Sequence, residues 1–107
     1  MNANDFCTVI TTTDSVENAE RITKALLEEK LAACVQASEI TSSYSWKGQI
    51  VTDKEIRLDI KTKVSLFASL KERIEALHTY EVPEILMFRV DDAKFDYLRW
   101  IDEETMR

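Results

Sequence analysis

Two long strand-like segments joined by one short turn constrain the fold of this sequence more than any other feature. The segments are Cys34–Trp46 and Gln49–Thr62, and Lys47-Gly48 between them is the only strong turn signal. They therefore predict a β-hairpin. Arms of about 12 residues, rising ~3.3 Å per residue, would reach about 40 Å, whereas a typical strand has about 5 to 6 residues.

Periodicity predicts the remaining elements. The pattern indicates two further strands, at Phe6–Thr11 and Ile85–Val90. It also indicates a helix capped by Asp14 and running to about Lys30, and a second helix capped by Ser65 and ending near His78. A short third helix is expected around Phe95–Ile101. Pro83 separates the second helix from the last strand, because it restricts Val82 to extended geometry. The acidic residues after Ile101 lie at the negative end of the third helix dipole, so we expect that end to fray.

The order β-α-β-β-α-β predicts an α+β, ferredoxin-like sandwich formed by one domain, residues 1–107, with a long hairpin and a short C-terminal helix. Right-handed crossovers place the first two helices on one face of a four-stranded antiparallel sheet. The first and third strands are then central, and the second strand lies at an edge. Because the third strand separates Cys7 from Cys34, we expect no disulfide within the chain.

Rare residue types exclude several kinds of site. One glycine among 107 residues cannot build a phosphate-binding loop, and two cysteines with one histidine cannot form a closed zinc site within one chain. A net charge of −6 opposes binding to nucleic acid. Neither a basic leader nor a run of 18 apolar residues is present, so we expect a cytoplasmic protein without a membrane partner, whose cysteines are reduced and buried.

The hairpin also predicts self-association. Its arms overshoot the helical layer, so Tyr44 and Trp46 near its end have nothing in their own chain to pack against, and the helices leave one face of the sheet uncovered. On the third strand Arg57, Asp59 and Lys61 alternate with apolar residues, a pattern that fits either charges paired across a subunit boundary or a solvated face. We expect an oligomer.

Several short motifs together resemble one family. They are Leu31-Ala32-Ala33-Cys34, Ser42-x-Tyr44-x-Trp46-x-Gly48, Ile60-Lys61-Thr62, His78-x-Tyr80-x-x-Pro83-Glu84 and Tyr97-Leu98-x-Trp100. Their order and spacing resemble the CutA divalent-cation tolerance family. The resemblance implies a ferredoxin-like subunit, a tight homotrimer similar to the signalling trimers of the PII class, and a role in tolerance of copper and other divalent metals.

His78 is the first candidate for a metal ligand, because neutral imidazole is the commonest ligand of copper and zinc. With a carboxylate from Glu84 or Glu81, and with Glu55 from the third strand, it could bind a divalent cation in a cleft between subunits. The competing interpretation is that His78 ends the second helix and bonds its last carbonyls. The cation would not be required for folding.

Copper itself fits this sequence poorly. The resemblance implies a copper-binding cysteine at the end of the first strand, where this chain has Thr11, and a hydroxyl is a poor ligand for soft Cu(I). Cys7 lies on the same face of that strand but about 13 Å away, so it could substitute only if it faced the same cleft.

A second set of residues could line the cleft or bind a ligand: Tyr44, Trp46, Lys61, Thr62, Tyr80 and Trp100. The aromatic rings could stack on a ligand, or they could anchor one subunit to another. Lys61 could pair with an anionic ligand or with Glu84 or Glu81.

The sequence thus predicts a non-enzymatic homotrimer that binds a divalent metal such as copper or zinc at inter-subunit clefts. The alternative is a PII-like regulator that binds a small anionic molecule. An enzyme is the least supported interpretation, because only His78, with Glu81 or Glu84, could perform acid–base chemistry.

Overall fold

The computed structural model describes all residues from Met1 to Arg107 and contains four strands and three α-helices. In chain order they are β1 (Phe6–Thr13), α1 (Val16–Glu28), β2 (Cys34–Trp46), β3 (Gln49–Lys63), α2 (Phe67–Leu77), β4 (Ile85–Arg89) and α3 (Phe95–Glu104). The predicted order of strands and helices is confirmed.

The four strands form one antiparallel sheet in the order β2-β3-β1-β4. The central position of β1 and β3 and the edge position of β2 are as predicted. Cys7 pairs with Thr62 and Cys34 with Lys61, both on β3, and both cysteines are free thiols. The predicted absence of an internal disulfide follows from this separation.

The main core lies between the sheet and the first two helices. Alternate residues of the central strands point into it, and α1 and α2 supply its other side; its largest fully buried side chains are Val9, Ile22, Leu26, Leu58, Ile60, Leu70 and Ile74. Because Val9 faces Ile60 across the ladder and both are fully buried, the two-residue period of the strands directs one face of the sheet to the helices.

We call the other side of the sheet the open face. It carries the alternate residues Thr8, Ile10 and Thr12 of β1, Gln36 and Ser38 of β2, Arg57, Asp59 and Lys61 of β3, and Leu86 and Phe88 of β4. We predicted that no helix covers the open face, and this prediction is wrong at the end of the sheet that carries Phe6 and Lys63. There Leu98 and Ile101 of α3 pack on Phe6, and Lys63 pairs with Asp102 at 3.2 Å.

The helix ends differ from the prediction in three places. Ser15, not Asp14, caps α1 by accepting a hydrogen bond from the Asn18 amide. A 3₁₀ turn at Val64–Leu66 includes Ser65 and delays the start of α2. α3 continues to Glu104, beyond the predicted end at Ile101, and the Thr105 hydroxyl donates to the Ile101 carbonyl at 2.7 Å.

The hairpin has the predicted length. Its strands pair without interruption from Cys34–Lys61 to Trp46–Gln49, and Lys47 and Gly48 both adopt positive φ angles in the turn. The molecule is 45 Å long but only 26 and 22 Å in its other dimensions. We call residues 44–51 the hairpin tip; within it Ile50 is 84% exposed and Trp46 is 57% exposed.

Candidate functional site

His78 lies where α2 ends, and both of its ring nitrogens are engaged. Nδ1 accepts a hydrogen bond from the Tyr80 amide at 3.0 Å, so Nε2 carries the proton and donates to the Thr12 carbonyl at 2.7 Å. The pairing of β1 with β4 ends at Thr11–Ile85, so β4 offers no N–H group to the Thr12 carbonyl. The His78 ring supplies that hydrogen bond instead. His78 therefore ends α2 as the competing interpretation expects, but its ring bonds the Thr12 carbonyl of β1 and not the last carbonyls of the helix.

Tyr80 connects His78 to the hairpin. Its ring centroid lies 4.8 Å from that of His78, and its hydroxyl donates to Glu55 of β3 at 2.7 Å. Burial raises the pKa of Tyr80, and the hydrogen bond and negative charge of Glu55 raise it further. His78 and Glu55 are therefore brought together through Tyr80, although their side chains do not bond directly.

A second tyrosine–carboxylate bond lies further along the hairpin. The Tyr44 hydroxyl donates to Asp53 at 2.5 Å, and this bond is the main reason that the pKa of Tyr44 is raised. The carboxylates of Glu55 and Asp14 also raise the pKa of Tyr44. The hairpin next to its tip, at Asp53 and Glu55, is consequently acidic. The sequence interpretation missed Asp53, although counting outward from Lys47-Gly48 places it on the same face as Tyr44.

The two remaining carboxylates proposed from the sequence are more exposed. Glu81 and Glu84 lie in the connection between α2 and β4, and their side chains make no hydrogen bond or ion pair within the chain. Glu84 acts at longer range on Arg57, whose pKa is raised mainly by Asp59. Within one chain no group of three or more histidine, cysteine or acidic side chains is positioned to hold a metal ion.

Neither Thr11 nor Cys7 presents a ligand near His78. Both side chains point into the helix-covered core, where Thr11 is fully buried and its hydroxyl has no hydrogen-bond partner. Cys7 is 1% exposed, and burial raises the pKa of its thiol to about 11. The condition under which Cys7 could replace the expected copper ligand is therefore not met.

The other predicted ligand residues do not form one group. Lys61 donates to Gln36 on the open face at 2.6 Å rather than pairing with Glu81 or Glu84, whereas Thr62 points to the opposite face and donates to the Leu31 carbonyl. Trp100 stacks on Tyr97 of α3, with 5.6 Å between ring centroids. Since α3 covers the Lys63 end of β3, Trp100 lies far from Tyr80, which contacts Glu55.

No helix in the structure combines the length and the apolar character needed to cross a membrane.

The sequence model of the family described as "CutA1 divalent ion tolerance protein" matches residues 7–104. The chain is 46% identical to the divalent-cation tolerance protein CutA of Pyrococcus horikoshii over 92% of this chain and 97% of that one. It is also 46% identical to the protein of the same name from Thermus thermophilus, over 91% and 95% of the two chains.

Solved structures give the same result. The structure of the periplasmic divalent cation tolerance protein CutA from Archaeoglobus fulgidus superposes with a TM-score of 0.92 at 37% identity, covering 94% of this chain and 99% of the other. The names of these relatives describe tolerance of cations and specify no reaction. The chain belongs to the CutA1 divalent ion tolerance protein family.

Proposed function

We propose that this protein is a homotrimer that contributes to divalent-cation tolerance by binding cations in the clefts between its subunits. The observation that carries the assembly is the uncovered apolar surface of the single chain. Leu86 and Phe88 on the open face are about half exposed, and the hairpin tip exposes Trp46 and Ile50. Exposed apolar side chains grouped on one surface mark interaction sites, and neighbouring subunits would cover these two groups.

The cation site is proposed at the connection between α2 and β4, where Tyr80 contacts Glu55 of the hairpin. Glu81 and Glu84 are its most accessible donors, since neither carboxylate is engaged within the chain. Glu55 can contribute an oxygen while it keeps its bond to Tyr80, because a carboxylate accepts several hydrogen bonds or ligands. His78 can coordinate through Nδ1 only by giving up its bond to the Tyr80 amide.

This donor set favours borderline or hard divalent ions over soft copper. Carboxylates and one imidazole suit Zn²⁺, Ni²⁺ and Cu²⁺, whereas Cu(I) needs sulfur that neither Thr11 nor the buried Cys7 provides here. Since fewer than three such donors converge within one chain, the remaining ligands would come from a neighbouring subunit.

Calorimetric titration of metal-stripped protein with Zn²⁺, Ni²⁺ and Cu²⁺ tests this site. All variants should carry Cys34→Ser, because that partly exposed thiol would bind copper by itself. We expect Glu81→Gln/Glu84→Gln to weaken binding by at least about tenfold, in line with the loss of ligating groups. His78→Ala should give a smaller loss if His78 mainly supports the connection.

The matched control is Glu103→Gln/Glu104→Gln, which removes the same charge from two exposed carboxylates at the end of α3. This control should bind metal as the parent does. Equal binding by all variants would refute the proposed ligands, and equal losses in the control would mean that only net charge matters.

One observation supports a second candidate function, the binding of a small anion by a PII-like regulator. The Lys61 ammonium on the open face has Gln36 as its only side-chain partner, so its charge is not neutralised within the chain. A thermal-shift screen with nucleotides and small carboxylates should then find a ligand whose effect disappears in Lys61→Ala. A screen without such a ligand would contradict this function.

We further propose a non-enzymatic protein of the cytoplasm. Both nitrogens of the single histidine are held in hydrogen bonds to the main chain, so His78 could act as a general base only by giving one of them up. The placement in the cytoplasm rests on the sequence, which shows no basic leader before Phe6. An assay that detected turnover dependent on His78 would contradict the first statement, and fractionation of the cell tests the second.

A further inference from the structure

The open face contains an ion pair that lies away from the proposed cation site. Arg57 and Asp59 lie two residues apart on the central strand β3, and the guanidinium donates through Nε and Nη2 to both carboxylate oxygens at 3.0–3.3 Å. Their side chains are 42% and 25% exposed even in the isolated chain. Lys94 and Asp96 at the start of α3 form an ion pair with the same spacing, but their side chains are 77% and 65% exposed.

The neighbours of this ion pair divide the open face into two parts. Across the sheet from Asp59, Ile10 on β1 and Leu86 on β4 form an apolar part. On the other side Gln36 and Ser38 on the edge strand β2 form a polar part. The ion pair lies at the boundary, so a partner that covers the apolar part would also remove water from the pair.

We propose that the partner is a second copy of this chain, and that pairing within β3 cancels the charges of Arg57 and Asp59 where they become buried between subunits. This inference rests on the proposed homotrimer. In a closed symmetric assembly every charge on a shared face is repeated in each subunit, so an unpaired Arg57 would bring like charges into one interface. Pairing within the strand removes that repulsion at Arg57 before the subunits meet, whereas Lys61, two residues beyond Asp59, lies beside Gln36 in the polar part of the face.

Burial of the Arg57–Asp59 pair predicts different effects for single and double substitutions. Removing one member of a buried ion pair leaves an uncompensated charge, whereas replacing both members with apolar residues of similar size is often neutral or stabilising. A solvent-exposed pair behaves differently, because each single substitution then has little effect.

The test measures native mass against subunit concentration at a fixed, moderate urea concentration that partly dissociates the parent. Arg57→Leu and Asp59→Leu should each raise the concentration for half-dissociation by at least about tenfold. The double variant Arg57→Leu/Asp59→Leu should return to within about threefold of the parent. The control variants Lys94→Ala and Asp96→Ala should match the parent, and far-UV circular dichroism should show that every variant is folded.

Single variants that assemble as tightly as the parent would overturn the inference, because the pair would then be exposed to water in the assembly. A double variant as weak as the single variants would also overturn it, since neutrality would not be the property that matters. A parent chain that is monomeric without urea would instead refute the proposed trimer. The failure of the trimer can thus be distinguished from the failure of the inference about the ion pair.

Discussion

The two faces of the sheet differ in how much of each is covered by helices of the same chain. The face covered by α1 and α2 is closed within the chain, and its central residues Val9, Leu58 and Ile60 have no exposed surface. The open face has α3 over one end only, and it leaves Leu86 and Phe88 about half exposed. Both faces arise from the same strands, since alternate residues point to opposite sides.

This difference separates folding from assembly. The covered face contains the apolar surface whose burial stabilises the subunit, whereas the open face carries side chains that only another subunit could bury. Substitutions on the two faces should therefore affect different equilibria.

Leu58→Ala on the covered face should lower the free energy of unfolding by about 2 to 5 kcal/mol, because it opens a cavity in a close-packed core. Denaturant unfolding followed by circular dichroism measures this loss. Leu86→Ala on the open face is the control and should change subunit folding much less. Equal losses for the two variants would contradict the separation of the faces.

Phe88→Ser should leave the secondary structure intact but weaken assembly by about 1.5 to 3 kcal/mol, the value of burying one phenylalanine side chain. Native mass at decreasing concentration should show dissociation at concentrations where the parent stays assembled. Phe95→Ser is a matched control, because Phe95 on α3 is 54% exposed and Phe88 is 53% exposed. Assembly unchanged in Phe88→Ser would place that residue outside the interface.

Cys7 predicts a pH dependence that belongs to the covered face. Its thiol has a pKa of about 11 in the folded chain, against 9.0 for an unperturbed thiol, so the unfolded state loses this proton first as the pH rises. Its contribution to stability is complete below pH 9 and should fall by about 1.4 kcal/mol per pH unit towards pH 11. Cys7→Ala should lack this slope, and a constant difference between parent and variant would contradict the prediction.

Thr11→Val should stabilise the subunit by about 1 kcal/mol, because it replaces a buried hydroxyl without a partner by a methyl group of similar size. The urea midpoint should rise while the slope of the transition stays the same. Thr62→Val is the contrasting variant and should destabilise, because it removes a buried hydrogen bond to the Leu31 carbonyl. A loss of stability in Thr11→Val would mean that its hydroxyl has a partner, such as a buried water.

Most of the fold could be predicted because local patterns determine it. The alternation at Ile56–Lys61 and the turn at Lys47-Gly48 predicted the hairpin almost to the residue. Helix starts were less certain because Asp14 and Ser15 are adjacent and both can cap a helix. The position of α3 could not be predicted, because its amphipathic stripe fits either face of the sheet.

The candidate site was only partly predictable, because its contacts join distant parts of the chain. His78 and Glu55 were identified from their chemistry, but the bonds that define them run to Thr12, 66 residues away, and to Tyr80, 25 residues away. Thr62 follows a two-residue period that directs it into the core, away from Lys61. Whether Glu81 and Glu84 bind a cation stays a prediction.

Light scattering on the metal-free protein gives its native mass and shows whether neighbouring subunits cover the open face. If the open face and the hairpin tip are completed by neighbouring subunits, the mass should be three times the 12.4 kDa of one chain. A mass near 12.4 kDa across the accessible concentration range would contradict the account, because the exposed residues of the open face would then face water and no cleft between subunits would exist.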